Sequence, residues 1–76
     1  QGEALDVRRL REALAISLGE LDDQVRTAIL LRYQQGFTFE EMAEICGEKP
    51  GTLAARVARA MPRLRARIEA ILGEVP

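Results

Sequence analysis

A helix start, a helix stop and a second helix start fall within one short segment, Thr38 to Pro50. Thr38-Phe39-Glu40-Glu41 has the Thr-x-x-Glu pattern of a capping box. In that pattern hydroxyl and carboxylate each take up a backbone N–H that the first turn of a helix leaves unpaired. Gly47 then offers the left-handed conformation in which many helices end. Pro50 suits the first position of a new helix, where its missing N–H has no bond to lose. A short helix over about 38–46, a tight turn and a second helix from about 50 are therefore expected. That arrangement is a helix-turn-helix unit.

The rest of the chain reads as helix too. Val7, Leu10, Leu14 and Leu18 recur at spacings of three and four, one apolar stripe on a first helix over about 4–18. A second helix is expected over about 22–35, capped by Asp22 or Asp23 and running through Val25, Ala28, Ile29 and Leu31 to a stop at Gly36. Gly19, like Gly36 and Gly47, follows an amphipathic stretch and is expected to relieve a left-handed helix end. Met42, Ala43, Ile45 and Cys46 form the expected buried face of the third helix. Leu53, Val57, Ala60 and Leu64 form that of the fourth, over about 50–72. Pro62 lies inside this last run, where a proline removes a hydrogen bond and crowds the preceding turn, so a kink or a break near 62 is expected. No alternating β-branched run appears. The fold class is all-α: a small four-helix domain, or five helices if Pro62 splits the last, containing the helix-turn-helix.

At 76 residues the chain makes one domain, over 1–76. An apolar fraction of 47% is ample for a core. Tyr33, Phe37 and Phe39 are the only aromatic residues, so that core must be aliphatic, with the three rings packed around the turns. Cys46 is alone and histidine is absent, which excludes an internal disulfide and a His/Cys zinc site. Cys46 fits better as a small core hydrophobe than as a reactive thiol. No apolar run approaches the roughly 20 residues of a membrane span, and the N-terminus lacks the layout of a signal peptide. The expected setting is cytoplasmic. With no cofactor motif, metal cluster or histidine, neither a catalytic role nor a small-molecule substrate is expected.

Net charge is −1, but it is unevenly spread. Residues 21–49 are anionic at −3, whereas Arg56, Arg59, Arg63, Arg65 and Arg67 against Glu69 and Glu74 leave residues 50–76 at +3. On the fourth helix, the side opposite the apolar stripe carries Thr52, Ala55, Ala58 and Arg59, flanked by Ala54, Arg56 and Arg63. Arginine matches phosphate and the paired acceptors of guanine, and the second helix of such a unit commonly enters the major groove of DNA. A solvated arginine face and helix propensity account for the same residues without nucleic acid.

Several pieces in order carry a family resemblance. They are Leu21 to Tyr33 (LDDQVRTAILLRY), Gly36 to Glu44 (GFTFEEMAE), Gly47, Gly51-Thr52-Leu53, Arg56-Val57-Ala58-Arg59-Ala60 and Leu64-Arg65. Together, over residues 21–67, they resemble region 4 of sigma-70-type RNA polymerase sigma factors, of the extracytoplasmic-function kind. The resemblance implies a bacterial transcription-initiation domain that recognises the −35 promoter element and contacts the flap of RNA polymerase, with an anti-sigma protein as a further partner. It makes the chain a fragment of a longer sigma factor. By position it makes Thr38 and Glu40 a helix start that clamps the DNA backbone, and it puts Lys49 at the cap of the recognition helix. It makes Ala54, Ala55, Ala58 and Arg59 groove-facing, with Arg56 and Arg63 near phosphates.

The chain departs from the family at several of these places. The family usually has polar or basic residues at Ala54 and Ala55, serine at Lys49, an apolar residue at Glu48 and proline at Asp22, and it seldom interrupts its last helix as Pro62 does. A bidentate base contact is worth roughly 1–3 kcal/mol, so the alanines weaken base reading. They leave open a second function, a sigma-like module kept for protein contacts such as anti-sigma capture. A helix-turn-helix repressor dimer is a weaker third, for no dimerisation heptad remains outside the core.

Overall fold

The computed structural model describes the backbone of residues 2–73 and the side chains of residues 6–73. Four helices follow one another: α1 (Gly2–Gly19), α2 (Asp23–Ile29), α3 (Phe39–Cys46) and α4 (Pro50–Gly73). A π-helical segment, Leu30–Gln34, prolongs α2. The described residues contain no strand. At about 1.5 Å per residue, the 24 residues of α4 reach about 36 Å. They account for most of the 43 Å long axis of the molecule.

The core is small and aliphatic. Ala28, Ile29, Met42, Leu53, Val57, Ala60 and Leu64 form one buried cluster, joined by the partly buried Leu18, Leu21, Val25, Leu31, Phe37, Phe39, Ala43, Met61 and Ile68. All four residues expected on the inner stripe of α4 are buried. Phe37 and Phe39 pack at the turns as expected, but Tyr33 is 61% exposed.

The first helix turns a different face inward from the one its stripe implied. Ala13 and Ser17 are buried, whereas Val7, Leu10 and Leu14 remain 53%, 50% and 39% exposed and only Leu18 joins the core. The helix runs antiparallel to α4 and is tied to it at two points. Near its middle Arg9 Nη2 donates to the Leu72 carbonyl at 3.0 Å. Just past its end Arg67 donates to Glu20 at 2.8 and 3.1 Å. Those ties set the rotation of α1, and the small side chains at 13 and 17 let the two backbones approach. The Ser17 hydroxyl is left without a hydrogen-bond partner.

Local signals otherwise locate the ends well. Asp22 caps α2, its carboxylate accepting from the Gln24 N–H at 3.1 Å. Gly36 and Gly47 have φ of 78° and 72°, the left-handed conformation expected of them. Gly19 does not: it closes α1 as an ordinary helical residue, and the Glu20 N–H donates to the Ile16 and Ser17 carbonyls. Arg26 stitches the first turn shut, Nη1 donating to the Leu18 and Leu21 carbonyls at 3.2 and 2.9 Å while Nη2 pairs with Asp23.

No break occurs at Pro62, and α4 continues through it to Gly73. Pro62 and Ala58, the residue whose carbonyl loses its donor, both lie on the exposed side of the helix. Leu53 and Val57 before the proline and Leu64 after it sit in the same core, so both parts of the helix are anchored there.

Candidate nucleic-acid interface

The unit formed by α3, its turn and α4 starts from the capping box. The Glu41 N–H donates to Thr38 Oγ1 at 3.1 Å, and the Thr38 N–H donates to Glu41 Oε1 at 2.8 Å. Behind this start, Arg32 Nη1 donates to the Phe37 carbonyl at 3.1 Å, and its guanidinium lies 5.2 Å from the centroid of the Phe39 ring. One arginine thus ties the end of the π-helical segment to the entry of α3 through a hydrogen bond and a cation–π contact. Gly47 ends α3, its N–H donating to the Ala43 carbonyl at 2.9 Å. Pro50 is the first helical residue of α4. Met42 and Leu53, both fully buried, lock the two helices together.

This packing turns the other side of α4 outward. Thr52, Ala58, Arg59 and Arg63 are exposed, as are Thr38, Glu40 and Lys49; Ala54, Ala55 and Arg56 are half-buried. The ten candidate residues fall in the α3 start, the turn and the outer side of α4. They differ in what they have free to offer. Arg59 and Arg63 have no hydrogen bond or ion pair among the described residues.

Arg56 is engaged instead. Its Nη1 and Nη2 donate to Glu48 Oε1 and Oε2 at 2.6 and 3.1 Å, a bidentate pair with side chains 18% and 31% exposed. The hydrogen bonds from Arg56 hold the Glu48 carboxyl below its ordinary range against a smaller opposing effect of burial. The same bonds push the Arg56 guanidinium above its ordinary value, with lesser help from the charge of Glu48. Glu20 is likewise held low by the hydrogen bonds of Arg67. Sequence reading did not find Glu48 as a partner of Arg56. A carboxylate in the turn, eight residues before an arginine, was the available signal, but the fork between turn and helix exists only in three dimensions.

The third helix buries less than expected. Met42 is fully covered, but Ile45 is 57% exposed, and Cys46 is exposed rather than part of the core. The face of α2 opposite Cys46 is polar: Asp23, Gln24 and Thr27 line an open notch with Cys46, Glu48 and Arg56. Among the described residues that line the notch, none from α2 is apolar.

A compact α3–turn–α4 unit on a supporting pair of helices, with free arginines on the outer side of the second, defines a helix-turn-helix domain of the DNA-binding class. The sequence matches the family of sigma-70 region 4 over residues 9–64, and the chain belongs to that family. No curated protein and no solved structure matches it. The matched span begins within α1 and ends at Leu64, so it takes in α3, the turn and α4 as far as Leu64. None of the helices among the described residues is long and apolar enough to cross a membrane.

Proposed function

We propose that this chain serves bacterial transcription initiation as the −35-recognising part of a sigma factor of the extracytoplasmic-function kind, with RNA polymerase as its protein partner. It acts in the cytoplasm and catalyses no reaction. The observation that carries this reading is that Arg59 and Arg63, on the outer side of α4 within a region 4 domain, have no ion pair among the described residues. Thr38, Glu40, Lys49 and Thr52 line the approach, and Ala54, Ala55 and Ala58 admit a close fit with few base contacts. Affinity for DNA then rests on phosphate contacts and is low and strongly salt-sensitive. Fluorescence titration of labelled duplexes at low salt tests it. Binding that Arg59→Ala weakens supports the reading. A chain that binds no duplex, together with full promoter activity of an Arg59→Ala variant in the whole sigma factor, overturns it.

A second reading, a sigma-like module that captures an anti-sigma factor, draws support from the alanines on the outer side of α4 and from exposed Val7, Leu10, Leu14 and Tyr33. Recovery of polymerase with promoter activity by the tagged chain speaks for the first reading. Tight anti-sigma binding without DNA binding speaks for the second.

A further inference from the structure

Arg56, Arg59, Arg63 and Arg67 follow one another at spacings of three, four and four along α4, so they form one row down the side of the helix. The two ends of that row are held and the middle is not. Glu48, from the turn before α4, takes Arg56 through both terminal nitrogens. Glu20, from the link between α1 and α2, takes Arg67 through Nε and Nη2. Each is a planar fork-to-carboxylate pair, the same geometry a phosphate would require. We infer that Glu48 is a positioning residue that restrains DNA binding: it holds Arg56 off the phosphate backbone, so that the cationic contact of α4 runs through Arg59 and Arg63.

The inference rests on the DNA-binding reading, and three observations carry it beyond that reading. First, Arg56 is the most covered of the paired arginines, with 18% of its side chain exposed against 31% for Arg26 and 43% for Arg67. Its pair with Glu48 is therefore the least screened by solvent and salt. Second, Glu48 stands two residues before Pro50, in a turn whose backbone is set by Gly47 at φ 72° on one side and by the helix start on the other. The carboxylate reaches Arg56 without loosening either helix. Third, a guanidinium already neutralised by a carboxylate displaces no counterion from DNA. A phosphate at Arg56 would have to break both hydrogen bonds to Glu48 and leave the Glu48 charge beside the DNA backbone.

The experiment is a salt titration of duplex binding by the full chain and by Glu48→Gln, Arg56→Gln and Glu48→Gln/Arg56→Gln variants, with thermal melts to confirm folding. Each phosphate contact adds about 0.9 to the slope of log K against log salt concentration. Glu48→Gln is expected to bind several-fold tighter at low salt and to steepen the slope by about 0.9. Adding Arg56→Gln is expected to abolish both gains. If the gain survives in the double variant, it comes from removing a negative charge near DNA and not from releasing Arg56, and the inference falls. A flattening of the slope by about 0.9 in Arg56→Gln alone also overturns it, for Arg56 would then already hold a phosphate. Binding by the unaltered chain that Glu48→Gln leaves unchanged sinks the restraint and spares the DNA reading. Absence of duplex binding in both the unaltered chain and Glu48→Gln sinks the two together.

Discussion

Arg67 grips Glu20 through two hydrogen bonds, at 2.8 and 3.1 Å, across 47 residues of sequence. This fork, with the Arg9 bond to the Leu72 carbonyl, decides which face of α1 meets α4. Both side chains are close to half exposed, so the pair acts more as a register pin than as a large source of stability.

Acid should loosen the fold through the two carboxylates that arginines hold low. Glu20 and Glu48 both titrate below their ordinary value of 4.5 in the folded chain, because Arg67 and Arg56 donate hydrogen bonds to the charged form. A depressed folded value means that the stabilisation is fully present above the ordinary carboxylate value. It is lost as pH falls through the lower folded value. Thermal melts from pH 7 down to pH 3 are expected to fall more steeply below about pH 4.5 for the unaltered chain than for a Glu20→Gln/Glu48→Gln variant. Equal slopes would show that the pairs add nothing.

Pro62 is expected to weaken the helix it sits in. It is exposed, it interrupts no core contact, and it removes one bond from α4. Pro62→Ala restores that bond and should stabilise the domain by about 1–3 kcal/mol. For a domain of this size, each kcal/mol raises the melting temperature by roughly 4–8 °C. A melt that stays the same or falls would mean that the proline shapes the helix in a way the rest of the chain needs.

The α1–α4 contact predicts opposite outcomes at one position. Ser17 is buried with a hydroxyl that lacks a partner, and its small size lets α1 lie close to α4. Ser17→Ala removes an unsatisfied polar group and should be neutral or stabilising by about 1 kcal/mol. Ser17→Leu overfills the same contact and should destabilise by roughly 1–3 kcal/mol. Chemical denaturation of both variants checks the pair of signs, and a stable leucine variant would mean that α1 docks through its leucine stripe instead.

The two ends of α3 can be tested together. Thr38→Ala deletes the acceptor for the Glu41 N–H and is expected to cost about 1 kcal/mol. Gly47→Ala meets no steric neighbour, but its φ of 72° penalises any side chain, by roughly 1–2 kcal/mol. The sites lie at opposite ends of one helix and share no bond, so their combined effect in denaturant melts should be close to additive.

Much of this was legible in the sequence, and where it was not the reason is physical. Thr38 and Glu41, Gly47 and Pro50 gave the unit its boundaries because caps and stops are local: their partners lie within a turn of chain. The α4 stripe was legible for a related reason, since Leu53, Val57, Ala60 and Leu64 leave that helix only one apolar side to bury. The leucines of α1 misled. They form a clear stripe, yet a stripe says only that a face is apolar, not that anything covers it. Cys46 misled because the α2 surface across the notch from it is polar, and Ile45 is likewise left exposed.

The row of arginines on α4 shows where the division lies. Composition and helical spacing alone placed Arg56, Arg59 and Arg63 on the outer flank of a second helix, because helical geometry is set by local backbone bonds. Which of them stay free was decided by tertiary structure. The turn brings Glu48 onto Arg56, and the docking of α1 brings Glu20 onto Arg67. Ion pairing depends on distances of a few ångströms between groups that only the folded chain brings together.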